Sequence, residues 1–378
     1  MESLPRRALL TAVALCSHVF VVVFCSTYAQ GADSSPEYSF VYLGDMHFDR
    51  MSHHDLEWVR AEKPKDIRQI EGYVKSTQEY APGLLRRVNS SIASSSGRIK
   101  MIVQGGDLTE GLCGSRELQE TQFRDVRAFI RNYIPETMFV ATKGNHDITG
   151  PGAKEAFDNV MLPWLSQECG KRIDSASFSY VQGPDLFVFF DAYDRNLDWL
   201  QSTLSENKYR HVFVVMHPPA VPYNARSTWH LFSKEHEKKK RERFLDILGS
   251  NRAILLTAHL HKYCVLTRKT PAGSFVQLSM NSVISSPNVS VRDYLKSVEN
   301  YGGGLVDLEP EFQPQTESER RRMLEDEKPY ITSFEFANFP GYAVINVSHS
   351  SITADISMAD SGKVWKRVSL MPMLANVD

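Results

Sequence analysis

Short apolar runs recur along the chain, and each stops at a turn of polar residues. Residues 39–43, 99–104, 137–142, 211–216 and 253–257 are runs of this kind, five or six residues long. Their apolar character is nearly continuous rather than alternating, which predicts strands buried on both faces of a largely parallel sheet. Between them, residues 117–132, 197–205 and 234–248 read as helices. Strands alternating with helices predict an α/β fold, and ligands of such folds collect at the carboxyl ends of the strands. The polar turns all stand at those ends: Gly44-Asp45-Met46-His47, Gly105-Gly106-Asp107, Gly144-Asn145-His146-Asp147, His217-Pro218-Pro219 and His259-Leu260-His261.

The last part of the chain follows another rhythm. Residues 330–371 alternate apolar and polar positions with period two, broken by Gly and Asp-Ser turns, which predicts half-solvated antiparallel strands. The stretch before it joins Gly302-Gly303-Gly304 to a charge run at 317–327, read as a solvated loop and helix. No linker is long enough to divide the chain, so residues 30–378 are expected to form one domain.

Residues 1–29 read as a secretory signal peptide. Arg6 and Arg7 form a positive start, 8–24 an apolar stretch, and Thr27-Tyr28-Ala29 a cleavage site of small-x-small type. A retained anchor is the competing reading, because the apolar run approaches the roughly 18 residues that a membrane span needs. Ser17 and His18 in its middle, and the cleavage site, favour removal. The expectation is a secreted protein (extracellular, periplasmic or in an endomembrane lumen) with no membrane span after signal removal.

Export changes the reading of the five cysteines. Cys16 and Cys25 leave with the signal, so Cys113, Cys169 and Cys264 allow at most one intrachain bridge. No CxxC or CxxH occurs, which argues against a thiolate zinc site. Asn89, Asn288 and Asn346 head glycosylation sequons, relevant only in a host that glycosylates exported proteins. With 43 Lys+Arg against 45 Asp+Glu the formal net charge is −2, which argues against a protein that coats nucleic acid. A 42% hydrophobic content supports a full core. Lys238 to Arg241, set among glutamates, read as a solvated helix face.

The polar turns carry the candidate chemistry. Two hard cations sharing a bridging carboxylate need about seven oxygen or imidazole ligands, and Asp45, His47, Asp107, Asn145, His217, His259 and His261 supply that set. Side chains two apart where a strand opens into a loop can converge on one ion, as the pairs Asp45/His47 and His259/His261 would.

In this order the motifs resemble the calcineurin-like metallophosphoesterase superfamily, over nearly all of the chain after residue 29. Residues 187–191 and 197–200 are similar to that family's strand and helix upstream of the lone histidine. The resemblance implies a four-layer αββα sandwich of two mixed β-sheets flanked by helices, with a dinuclear metal site at strand ends. It implies that Asp45, His47, Asp107 and His261 hold one ion, and Asp107, Asn145, His217 and His259 the other. The ions are expected to be two divalent or mixed-valence metals, Fe, Mn or Zn and sometimes Ni or Co. They would lower the pKa of a bridging water toward neutrality for in-line attack on phosphorus, while His146 protonates the leaving alkoxide as general acid.

Two positions depart from the family pattern. Ala258 stands where a glycine usually precedes the last histidine pair, which is unstrained only if its φ is negative. Glu110 stands where purple acid phosphatases place a metal-binding tyrosine, so the purple subclass is disfavoured. By analogy with protein Ser/Thr phosphatases, Glu110 is assigned as the carboxylate orienting His146; the competing reading is a solvent-facing loop acid. Insertions at 49–80 and 223–240 are expected to roof the cleft. The substrate is expected to be a phosphoester, with monoester and diester both open and a lean toward measurable diester cleavage. The alternative is a binding or scaffold protein of the same fold, at the cell surface and without turnover.

Overall fold

The computed structural model describes residues 37–206, 209–287 and 289–371. The expected signal peptide and Asn288 of the second sequon lie outside the described residues. Among the described residues there are fourteen strands: β1 Tyr38–Leu43, β2 Ile99–Gln104, β3 Met138–Ala141, β4 Phe178–Gln182, β5 Asp185–Phe189, β6 Val212–Val215, β7 Ile254–Thr257, β8 Tyr263–Thr270, β9 Gly273–Ser279, β10 Arg292–Lys296, β11 Ile331–Asn338, β12 Gly341–Val347, β13 Ile352–Met358 and β14 Val364–Ser369. The α-helices are α1 Leu56–Glu62, α2 Ile67–Glu79, α3 Ala81–Ser94, α4 Arg116–Tyr133, α5 Ala153–Ala156, α6 Leu162–Cys169, α7 Leu197–Leu204, α8 Lys238–Ser250 and α9 Glu317–Glu327.

The strands form two mixed sheets, ordered β14-β13-β12-β1-β2-β3 and β10-β11-β8-β9-β7-β6-β5-β4. In the first, β1, β2 and β3 run parallel while β12 to β14 add antiparallel strands beyond β1. In the second, β5, β6, β7 and β9 run parallel. The five apolar runs that end in polar turns are β1, β2, β3, β6 and β7. All five belong to the parallel part of their sheets, with β3 at the edge of the first, and their carboxyl ends point to one rim. Phe40 of the first sheet meets Phe187 and Phe213 of the second edge-on at 5.1 and 5.3 Å, which locates the core between the sheets. Such edge-to-face pairs align ring edges with ring faces of opposite partial charge.

Helices cover both outer faces. In α4, Phe123, Val126 and Ile130 recur at helical spacing and pack with Leu84, Leu85 and Val88 of α3 against the first sheet. Ser115 starts α4 by accepting from the Leu118 amide. On the other side Leu197, Leu200 and Leu204 of α7 pack with Phe244, Leu245 and Leu248 of α8. Asn196 caps α7 through the Trp199 amide. The result is the expected αββα sandwich.

The antiparallel tail forms as the alternation predicts, but it divides between the sheets: β11 pairs with β8 in the second, and β12 pairs with β1 in the first. The 49–80 insertion is largely helical, holding α1 and α2. Val59, Ile70 and Val74 form a small satellite core there with Leu112. The solvated-face reading of 238–241 needs correction at one residue. Lys238, Lys239 and Lys240 are exposed, but Arg241 turns inward to the Ala220 carbonyl and the Glu327 carboxylate. Cys113, Cys169 and Cys264 are all free thiols.

Candidate metal centre

At the shared rim the backbone is strained in the way that functional turns are. His47, Asp107, His259 and His261 have φ of 46°, 51°, 69° and 53°, a left-handed region that costs a non-glycine residue of order 1 kcal/mol. Four of the seven candidate ligands are thus held where their own preferences would not put them. Ala258 is not among the left-handed residues, so alanine fits there unstrained. The neighbouring glycines are required by close approach. A Cβ on Gly144 would lie 2.1 Å from the Asp107 amide nitrogen, and one on Gly106, itself at φ 91°, 2.7 Å from the His217 ring.

These turns bring together all seven residues singled out from the sequence. Asp45, His47 and His261 form one cluster and Asp107, His217 and His259 another, with the ligand atoms of each within 4.8 Å, so Asp45 and His47 converge as expected whereas His259 and His261 divide between the two clusters. Nε2 of His47 lies 3.1 Å from Nε2 of His261, which is 3.6 Å from Asp45 Oδ1. Nε2 of His217 lies 3.0 Å from Asp107 Oδ2, 3.2 Å from Asn145 Oδ1 and 3.1 Å from His259 Nδ1. Asp107 Oδ2 is also 3.8 Å from His47, so this carboxylate stands between the two clusters.

The donor set fits two cations. Asp45, His47, Asp107 and His217 are at most 1% exposed, and the two buried carboxylates among them need a counter-charge. The second ring nitrogens are already assigned. His47 Nδ1 faces Glu110 Oε2 at 2.7 Å, and His217 Nδ1 faces the Gly105 carbonyl at 2.8 Å. With those nitrogens as donors, both Nε2 atoms present lone pairs to the same space as the carboxylates, the tautomer that metal-bound histidines adopt. Burial and the neighbouring histidines push His47 and His259 well below the usual imidazole range, favouring the neutral ligand form.

Around the ligands stands a supporting shell. The Glu110 carboxylate is buried and differs in detail from the expected partner of His146 alone. It lies closest to His47, accepts from Gln69 Nε2 at 2.7 Å, and reaches His146 Nδ1 at 3.3 Å. His146 Nδ1 is nearer the Glu110 backbone carbonyl, at 2.9 Å. Burial opposes a charge on His146, but Glu110 and Asp107 outweigh it and raise its pKa to about 9. Asp147, quoted in the motif but given no role from sequence, accepts from the Gly144 amide at 2.9 Å and the Thr109 amide at 3.0 Å, bracing the turn that presents Asn145 and His146.

Both insertions reach the rim as expected. Tyr73 of α2 stacks flat on His47, ring centroids 4.1 Å apart and planes within 3°, and Trp229 lies 5.5 Å from His259. The roles of Gln69 and Tyr73, and of the buried Lys143–Asp191 pair at 2.5 Å, were not legible from the sequence. No spacing rule links a residue in a long insertion to a ligand contributed by another strand.

An αββα sandwich with two imidazole–carboxylate clusters on the rim of its parallel strands defines a class of metal-dependent hydrolase folds. The chain belongs to the calcineurin-like phosphoesterase family, whose pattern matches residues 38–263. Its fold is similar to that of the purple acid phosphatase PPD1 from yellow lupin (Lupinus luteus) seeds, with a TM-score of 0.52 at 12% identity over 88% of this chain and 53% of that one. The chain therefore spans about half the length of the lupin enzyme. A dimetal phosphatase from Danio rerio matches at a TM-score of 0.49 and 12% identity, over 89% of this chain and 99% of that one. GAP50, described as the anchor in the inner membrane complex of Plasmodium, matches at 0.49 and 13%, over 88% of each chain. No curated protein matches by sequence. Among the described residues no helix is long and apolar enough to cross a membrane.

Proposed function

We propose that this protein is an exported phosphoester hydrolase working with two metal ions. The observation that carries the reading is the pair of ligand clusters with the Asp107 carboxylate between them. Asp45, His47, Asp107 and His261 would hold one ion, and Asp107, Asn145, His217 and His259 the other. When bound, the two ions supply positive charge for the phosphate oxygens and a nucleophile at neutral pH. Oxygen and imidazole donors without a tyrosinate suit Mn, Zn or Fe.

The remaining steps belong to the protein. His146 is tied through Nδ1 to Glu110, which leaves Nε2 to face the substrate and give its proton to the leaving alkoxide. Glu110 positions His47 and His146 together, while Tyr73 fixes the plane of the His47 ring. Monoesters and diesters both remain substrates of this reading, with the helical insertion and the 223–240 loop supplying walls for a second ester arm.

The test uses the chain without residues 1–29, reconstituted with Mn or Zn. Elemental analysis is expected to give two metals per chain, with turnover of p-nitrophenyl and bis-p-nitrophenyl phosphate. Asp107→Ala should lower both metal content and turnover more than any other single ligand change. Two bound metals with no turnover of any phosphoester would move the assignment to the scaffold alternative.

A further inference from the structure

One side of the metal-centre mouth carries an aromatic ring and a cation that the chemistry above does not use. Trp229 ends a short 3-10 turn, Ser227–Trp229, and is 36% exposed with its ring tilted 40° to that of His259. The Arg226 guanidinium lies 5.4 Å from the Trp229 ring centre and 5.1 Å from that of Phe312. Its Nε is held by Glu309 at 3.3 Å, and its two terminal amino groups make no hydrogen bond among the described residues. Glu309 is shared with Lys262 at 3.1 Å, so one carboxylate faces two cations.

This patch is rigid, which a subsite needs. Arg320 is fully buried beneath it. Its guanidinium donates to the Ala225 carbonyl at 2.8 Å and lies over Phe312, and its own carbonyl accepts from Ser227 Oγ at 2.8 Å. The turn bearing Arg226 and Trp229 is thereby locked to the segment bearing Glu309 and Phe312. A charge buried at this depth is tolerated only where its hydrogen bonds are made, so the geometry of the patch is set before any ligand arrives.

We propose that Trp229 and Arg226 form the leaving-group subsite of the phosphoesterase. Trp229 stacks on a planar ring in the leaving group and Arg226 holds a non-reacting phosphoryl oxygen. The class selected is phosphoesters of aromatic or nucleoside alcohols over those of simple alkyl alcohols. The inference rests on the hydrolase reading above. Stacking on an exposed aromatic residue gives a preference of about 5- to 150-fold.

The experiment compares phenyl phosphate with a fluoroalkyl phosphate of matched leaving-group acidity, in the metal-loaded protein and in Trp229→Leu, Trp229→Phe and Arg226→Gln. The parent is expected to favour the aryl ester about tenfold in kcat/KM, through KM. Trp229→Leu should erase that ratio, Trp229→Phe should restore most of it, and Arg226→Gln should raise KM for both esters alike. Calorimetry with phenylphosphonate and methylphosphonate reads the same preference without turnover, and elemental analysis checks that each variant keeps its metals. A ratio unmoved in Trp229→Leu at full metal content overturns the subsite and leaves the hydrolase reading standing. Absence of turnover in the parent overturns the hydrolase reading and, with it, the leaving-group role of Trp229 and Arg226.

Discussion

At the scale of single residues, the site is assembled by backbone strain and by hydrogen bonds that leave each side chain one orientation. Four ligands in the left-handed region cost several kcal/mol in sum, and the packed sheets around them supply it. His146 tests the division of labour between binding and proton transfer. His146→Asn should keep both metals yet lower turnover by about 10² to 10⁴ for alkyl esters. Nitrophenolate leaves without protonation, so its esters should lose less; equal losses in the two series would exclude His146 as the acid. Glu110→Gln should lower metal affinity about tenfold, since it weakens the contacts to His47 and His146. Competition with a chromogenic chelator measures this directly. Unchanged affinity would reduce Glu110 to a buried structural acid.

At the scale of elements, charge pairs join the outer layer of helices to the second sheet. Glu327, at the end of α9, sits between Arg241 of α8 and Arg268 of β8, with Arg268 Nε at 2.8 Å. Burial alone would raise its pKa, but the two guanidinium groups prevail and hold it at about 2. A carboxyl depressed in the folded state stabilises above its unfolded pKa of about 4.3 and loses that contribution as pH falls toward 2; a shift of this size corresponds to about 3 kcal/mol. Urea midpoints of the parent and Glu327→Gln should therefore differ clearly at pH 7 and converge between pH 4 and 2. A difference that stays constant across that window would show that packing, not charge, joins the helices there. Arg241 was read as one more solvated residue of a basic run. Only the position of Glu327 at the end of α9, 86 residues later in the chain, supplies its partner.

At the scale of the whole molecule, the family pattern ends at residue 263 but the fold does not. Strands β12 to β14 make up half of the first sheet, and β12 pairs along nearly the full length of β1. Truncation after residue 340 would leave β1, the strand that presents Asp45 and His47, as an unpaired edge. The shortened chain should be insoluble or lack a cooperative thermal transition, and a soluble, metal-binding product would refute this. The three described cysteines are free, so the melting temperature should not change with reducing agent. A drop of several degrees would reveal a bridge.

The sequence by itself determined the elements and the ligand order. Continuous apolar runs encode two-sided burial, period-two alternation encodes half-buried strands, and glycines beside Asp107 and Asn145 record where backbones must nearly touch. These are local demands, visible at a spacing of a few residues. Tertiary structure alone decided that β11 and β12 enter different sheets and that Tyr73 and Gln69 reach His47 and Glu110. It also decided that Glu110 is shared by two histidines and that Arg320 locks the Arg226–Trp229 patch. Each of these contacts joins segments far apart along the chain, and only the packing of whole elements sets which side chains meet.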